Sequence, residues 1–299
     1  MHPAHDTQVP RVGPAGWSYE DWKGIVYPTT MPRKTHALEW LSQWFDTVEI
    51  NVSFYRPVTA RMSAAWPAKV LNNPRFRFTA KVWQRFTHDD APLSQTDLAE
   101  FRAGMDPLAE AGRLGALLIQ FPWSFRRTPE NRQRLARIIA ALKSYPLAVE
   151  VRHDSWVCEE YLDALRAEGV AFCNIDQPEH DHGIQPTAHI TAPLAYIRLH
   201  GRNRAAWFNQ KAPSYERYNY LYDQQELRPW LDRIQSVSKQ AQDTYVVTNN
   251  HYQGKAVANA IELIAALGRS PHNLPDELLD AYPQLRRVIE THDASSEHP

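Results

Sequence analysis

The sequence predicts a single-domain α/β protein, a TIM-like (β/α)8 barrel, and three observations carry that prediction. Short apolar runs alternate with amphipathic stretches from one end of the chain to the other. The runs number eight, and no internal repeat of solenoid length replaces them. Several runs end in alternating apolar and charged residues, where a strand enclosed in a barrel is otherwise apolar on both faces. A chain of 299 residues, 43% hydrophobic and 22% charged, has a globular composition and enough apolar material for such a core.

In chain order the expected strands are Arg11–Gly16, Thr47–Asn51, Phe76–Lys81, Ala116–Phe121, Leu147–Arg152, Ala171–Asp176, Ala195–Gly201 and Thr244–Asn250. The expected helices are Thr35–Phe45, Thr59–Leu71, Thr96–Ala111, Pro129–Ser144, Glu159–Glu168, Gln224–Ala241 and Lys255–Leu267. The crossover Gln177–Pro193 is too short and broken for a full helix. Each parallel strand needs a crossover, and closure removes both exposed edges, so strict alternation favours a barrel over an open sheet. The first strand–helix turn has no GxGxxG and the chain no GxxxxGK[ST], which argues against nucleotide-cofactor folds; no cofactor is expected. The layout is then a flexible N-terminus over 1–10, the barrel over 11–268, and a C-terminal extension over 269–299 with a short helix and a polar tail.

The formal net charge of -1 supplies no global attraction to nucleic acid or an anionic membrane. Cys158 and Cys173 form no CxxC and no zinc spacing, so neither a disulfide framework nor a metal is expected, and a reducing cytoplasm fits. No apolar run approaches the roughly 20 residues of a membrane span, and MHPAHDTQVPRV lacks a signal-peptide core. A cytoplasmic protein with no membrane partner is expected.

In Val48-Glu49-Ile50-Asn51, Val149-Glu150-Val151-Arg152 and Ile197-Arg198-Leu199-His200 the side chains repeat with period two. The apolar members face the helices and Glu49, Asn51, Glu150, Arg152, Arg198 and His200 face the lumen. Lys81, Gln120, Asp176 and Asn249/Asn250 hold equivalent strand-end places, which points to one ring at the face where barrel active sites lie. The same residues would also serve as a buried ion network filling the barrel top. Lys81, Arg152 and Arg198 outnumber Glu49 and Glu150, favouring an anionic or sugar-like ligand, unless Asp176 joins and evens the count. Glu49, Glu150 and His200 are the candidate acid–base groups. His88, His153 and His251 follow strands but match no metal-ligand spacing.

Aromatic residues crowd the loops after the strands, among them Trp17, Tyr55, Trp156 and Trp207, and can stack on a sugar or a base or simply pack as a lid. Gly201-Arg202-Asn203-Arg204 and Asn249–Lys255 occupy the loops where barrel phosphate sites often form, so an anion is expected at that corner.

Seven separated motifs, GWSYEDWKGIVYP (16–28), FDTVEINVSFYR (45–56), FRFTAKVWQRFTH (76–88), LGALLIQFPWSF (114–125), AVEVRHDSW (148–156), YIRLHGR (196–202) and VVTNNHYQGKAVANAIEL (246–263), resemble those of the YecE-like proteins, or domain of unknown function 72. The resemblance runs from Arg11 to Leu267 and implies a TIM-like barrel near the sugar-isomerase and endonuclease-IV-like group, with no assigned reaction. Trp17, Glu49, Asn51, Tyr55, Lys81, His88, Gln120, Glu150, Arg152, His153, Trp156, Asp176, Arg198, His200, Gly201 and Asn249/Asn250 fall on its motif positions. Gly13-Pro14-Ala15-Gly16 departs from the usual GTSG-like start and removes hydroxyls from the first strand. The metal chemistry of endonuclease-IV-like enzymes is not carried over, because Lys81, Gln120, Arg152 and Arg198 stand at comparable places.

Three functional readings follow. The first is a metal-independent enzyme, of hydrolase or isomerase type, acting on a small anionic or sugar-like substrate. In it Glu49, Glu150 and His200 do the chemistry, and Trp17, Asn51, Tyr55, Lys81, Gln120, Arg152, Trp156, Asp176, Arg198, Asn249 and Asn250 bind. The second is a nucleic-acid-binding or processing protein whose mouth reads an extruded nucleotide. The third is a non-catalytic ligand sensor.

Overall fold

Residues 9–288 are described by the computed structural model, apart from Lys34, Asp90, Gln210 and Ser270. Strands β1 Arg11–Pro14, β2 Thr47–Ile50, β3 Arg77–Lys81, β4 Leu114–Gln120, β5 Leu147–Glu150, β6 Ala171–Asp176, β7 Leu194–Leu199 and β8 Asp243–Thr248 coincide with the eight apolar runs to within two residues at each end. Neighbours pair in parallel in the order β1-β8-β7-β6-β5-β4-β3-β2. The seam between β1 and β2 is bridged at Ala15 and Glu49, where the Gly16 N–H donates to the Glu49 carbonyl at 2.8 Å. Closure demands a tight approach: a Cβ on Gly13 would stand 1.8 Å from the Thr47 carbonyl oxygen. Only glycine fits there.

The surrounding helices are α1 Ala37–Leu41, α2 Val52–Tyr55, α3 Ala60–Ala65, α4 Gln84–Thr87, α5 Gln95–Glu110, α6 Pro129–Leu142, α7 Glu159–Glu168, α8 Arg204–Trp207, α9 Gln224–Ser238, α10 Lys255–Ala266 and α11 Asp276–Ala281. Ser94, Thr128 and Asp223 start α5, α6 and α9 by accepting the backbone N–H three residues on, at Asp97, Asn131 and Glu226. The single helix expected over 59–71 is instead α3 followed by a 3-10 turn, Pro67–Val70, because Pro67 has no N–H with which to continue the ladder.

No helix forms between β6 and β7, as the sequence predicts. Irregular chain therefore covers the outer face of β6, and its backbone polar groups need partners. Asn174 supplies them: its Nδ2 donates to the His189 carbonyl at 3.0 Å, and its Oδ1 accepts from the Thr187 hydroxyl and the His189 N–H at 2.7 and 2.8 Å.

After α10 the chain returns to the barrel wall. Arg269 pairs with Asp46 at 2.7 Å, and Leu278, Leu279, Tyr282 and Leu285 are buried in the same core as the strands. Of the N-terminal ten residues, Val9 and Pro10 are described, and the Val9 carbonyl accepts from Arg75. The rest of that segment and the polar tail over 289–299 lie outside the described residues. Among the described residues no helix is long and apolar enough to cross a membrane.

Candidate functional site

Period two builds the lumen in layers. The Tyr196 hydroxyl donates to Glu49 Oε2 at 2.9 Å and, having one proton, accepts from the Thr79 hydroxyl at 2.8 Å. Arg198, 1% exposed, grips Glu49 Oε1 at 2.7 Å and Glu150 Oε2 at 2.5 Å. Arg152 turns Nε and Nη2 onto Glu150 Oε1 at 2.9 and 2.8 Å. Buried charge is tolerated only when it is saturated in this way. Burial alone would raise the Glu150 carboxyl, but Arg198, His200 and Arg152 together hold it well below the usual carboxylate range.

Asn249 Nδ2 donates to His200 Nδ1 at 3.0 Å, which leaves the ring proton on Nε2. That nitrogen lies 3.2 Å from Glu150 Oε1 but out of line for a hydrogen bond. Burial, reinforced by Arg198 and Arg152 against the pull of Glu150, pushes the imidazole down to about 3, so His200 is neutral at physiological pH.

Both oxygens of Glu49 and both of Glu150 are thus engaged, and none by Lys81. Its Nζ rests 3.9 Å from the centroid of the Phe54 ring and makes no ion pair among the described residues. Burial and the neighbouring Arg198 lower its pKa to about 7. Three cations, Lys81, Arg152 and Arg198, face two carboxylates, and the unmatched charge is Lys81.

The rim is aromatic. The Arg152 guanidinium stacks on Trp207 at 5.4 Å, Tyr55 is 67% exposed beside Phe54, and Trp17 meets Trp66 edge-on at 5.3 Å. Asn51 Nδ2 donates to the Tyr19 hydroxyl at 3.2 Å while its Oδ1 is buried without a partner. Gln120, on β4 between Lys81 and Arg152, is buried and donates to the Phe121 carbonyl at 3.2 Å.

Three expectations are corrected. Asp176 shares the outward parity of Asn174 and is gripped by Arg202 through Nε and Nη2 at 2.9 and 3.0 Å, so it does not join the ring. Asn250 likewise faces outward, its Nδ2 on Asn259 of α10 and the Tyr220 carbonyl, both at 2.8 Å, while its neighbour Asn249 reaches His200. Trp156 is stacked on Phe125 with its indole N–H on the Phe125 carbonyl at 2.7 Å, and it lines a cavity of about 420 Å³ against α6 and α7 rather than the mouth. In the loop after β7, Arg202 is filled by Asp176 and, at 3.3 Å, Glu226.

His88, His153 and His251 do not converge. His88 lies against Phe54, His251 stacks on Tyr19, and His153 meets Asp154 and His182, the one group of three possible ligands among the described residues. His153 Nδ1 there accepts the Ser155 N–H and so caps a 3-10 turn. Tyr196 is the residue that strand-end reading passes over, although it lies two places before Arg198 and shares its parity.

Residues 11–284 match the family described as "Protein of unknown function DUF72". The chain belongs to the DUF72 family. The UPF0759 protein YunF of Bacillus subtilis is 29% identical over 286 residues, covering 91% of this chain and 99% of that one. A solved DUF72 structure from Thermotoga maritima is 33% identical with a TM-score of 0.77, covering 88% of this chain and 100% of its own. Another, from Enterococcus faecalis, is 26% identical with a TM-score of 0.77, covering 89% and 98%. The nearly closed barrel is therefore shared with solved DUF72 proteins along most of the chain, and the saturated Glu49–Arg198–Glu150–Arg152 cluster and the unmatched Lys81 lie at the C-terminal ends of its strands.

Proposed function

We propose that the barrel mouth is an enzyme site for a small anionic or sugar-like molecule whose negative charge is taken by Lys81 and Arg152. The observation that carries this reading is the charge balance. The ring holds one more cation than carboxylate, and Asp176, which would have evened the count, is occupied by Arg202. An anion beside Lys81 neutralises that excess where water is scarce and attraction strong. The aromatic rim of Trp17, Tyr55 and Trp207 offers flat apolar faces to a sugar ring. The reading needs no metal, since the carboxylates that would hold one are saturated by arginines and the surrounding cations repel it.

Within this reading Glu49 and Glu150 serve as orienters of Arg198 and Arg152, and proton transfer falls to groups that keep a free lone pair near neutral pH, Lys81 foremost. Titration calorimetry with inorganic phosphate, glucose 6-phosphate and glucose tests it. The charged ligands should bind, glucose should not, and Lys81→Gln should weaken binding roughly tenfold, as loss of one charge-assisted contact does. Equal binding by wild type and variant would overturn the reading, as would steeply salt-dependent oligonucleotide binding with no response to the small anions.

A further inference from the structure

We propose that Lys81 is a nucleophile that forms an imine with the carbonyl carbon of its substrate, so that the mouth takes a small aldehyde or ketone bearing a phosphate or carboxylate group. This rests on the reading of the mouth as an anion site and specifies its ligand.

Lys81 has no carboxylate partner among the described residues. A lysine at a barrel strand end would ordinarily be neutralised by the nearest carboxylate. Here Arg198 and Tyr196 take both oxygens of Glu49, and Arg198 and Arg152 take both of Glu150. The amine is left over a ring face, 3.9 Å from the Phe54 centroid, partly buried and open to the mouth. A lysine desolvated beside other cations is the usual means of keeping an amine nucleophilic at neutral pH.

The groups facing it are Arg198 from β7, Glu49 from β2, Glu150 and Arg152 from β5, and His88 after α4. Burial and Arg198 outweigh the two carboxylates, and the amine titrates near 7. His88 shares the Phe54 ring with Lys81, 5.0 Å from its centroid, and is held neutral at about 4 by burial and by Lys81. Arg152 spends Nε and Nη2 on Glu150, which leaves its Nη1 edge for the anionic group of a ligand lying between it and Lys81.

In the reaction the free amine of Lys81 attacks the carbonyl carbon. The C–N bond forms as the C=O π pair moves to oxygen, and one ammonium proton passes to that oxygen, relayed by the neutral His88 imidazole that shares the Phe54 ring. The carbinolamine then loses water, giving the imine; a further proton makes the iminium, an electron sink for chemistry at the adjacent carbon. No oxidant or reductant is required.

The full-length protein at pH 7 is treated with sodium borohydride together with pyruvate, glyceraldehyde 3-phosphate or uncharged glyceraldehyde, and the adducts are located by peptide mapping. Reductive trapping should fall on Lys81 roughly a hundredfold faster than on exposed lysines, since an ordinary lysine at pH 7 is free amine in only about one part in a few thousand. Inorganic phosphate should protect it, Lys81→Arg should abolish the adduct, and the preferred arm identifies phosphate or carboxylate as the anion. Labelling spread evenly over the lysines, or unchanged in Lys81→Arg, would overturn the imine; mapping on wild type decides this even if the variant does not fold. Phosphate binding without trapping refutes the imine alone. Trapping by the uncharged aldehyde as fast as by the charged ones, with no protection by phosphate, supports the imine and refutes the anion site.

Discussion

Glu49 and Arg198 are 149 residues apart in the chain and meet at 2.7 Å inside the barrel, both almost wholly removed from water. The pair ties β2 to β7 across the lumen, and through the second guanidinium nitrogen Arg198 also ties β5. Arg198→Met should therefore lose about 3–5 kcal/mol in urea unfolding, because buried Glu49 is left without its cation and Glu150 keeps only Arg152. A loss under about 1 kcal/mol would show that the carboxylates find other partners.

Lys81 predicts the opposite pattern. Having no acidic partner among the described residues, it can be removed without stranding a charge, and its removal relieves the cost of burying an amine, so Lys81→Met should be at least as stable as wild type at neutral pH. The same substitution should cost binding of phosphate by roughly tenfold or more. Calorimetry and denaturation on one preparation give both values.

Acid should destabilise the fold. His200, held to about 3, and Glu150, held well below its ordinary range, both bind fewer protons folded than unfolded. Unfolding then takes up protons between the ordinary histidine value of 6.5 and about 3, so stability falls as pH falls through that window. Lys81 has the same sign at higher pH: folded it titrates near 7, unfolded near 10.5, so stability rises with pH between those values. Melting temperature followed against pH should decline below 6.5, and His200→Gln should flatten that limb.

Gly13 should tolerate no side chain. Although alanine is favoured over glycine in an unstrained strand, a methyl 1.8 Å from the Thr47 carbonyl oxygen must push β1 away from β2 and open the seam. Gly13→Ala should lose at least about 3 kcal/mol, measured by urea unfolding. Gly112→Ala is the control: it has the same residue change with no atom within 4 Å of the new Cβ, at a positive φ that carries only the local strain.

Alternation within β2, β5 and β7 made the ring legible, since in a strand neighbouring side chains must take opposite faces. Glu49, Glu150, Arg152, Arg198 and His200 were found that way and meet in the lumen. Strand-end position alone misleads on β6, where the lumen face is Cys173 and Ile175 and the polar face, Asn174 and Asp176, looks outward. The cause is the missing crossover helix: covered by irregular chain, the outside of that strand needs polar side chains, and the lumen side does not.

By itself, then, the amino-acid order determined the eight strands, their alternation with helices and the parity that sends charge into the barrel, because these depend on neighbours a few residues apart. Which cation pairs with which carboxylate was decided by tertiary structure alone. Arg198 could have served one glutamate, Asp176 could have matched Lys81, and Arg202 could have held an anion. Only barrel closure sets the distances across the lumen, and Coulomb attraction and desolvation act on those distances, not on separation along the chain. Closure brought Arg202 to Asp176 and Arg198 to both glutamates, leaving Lys81 at the mouth without an acidic partner among the described residues.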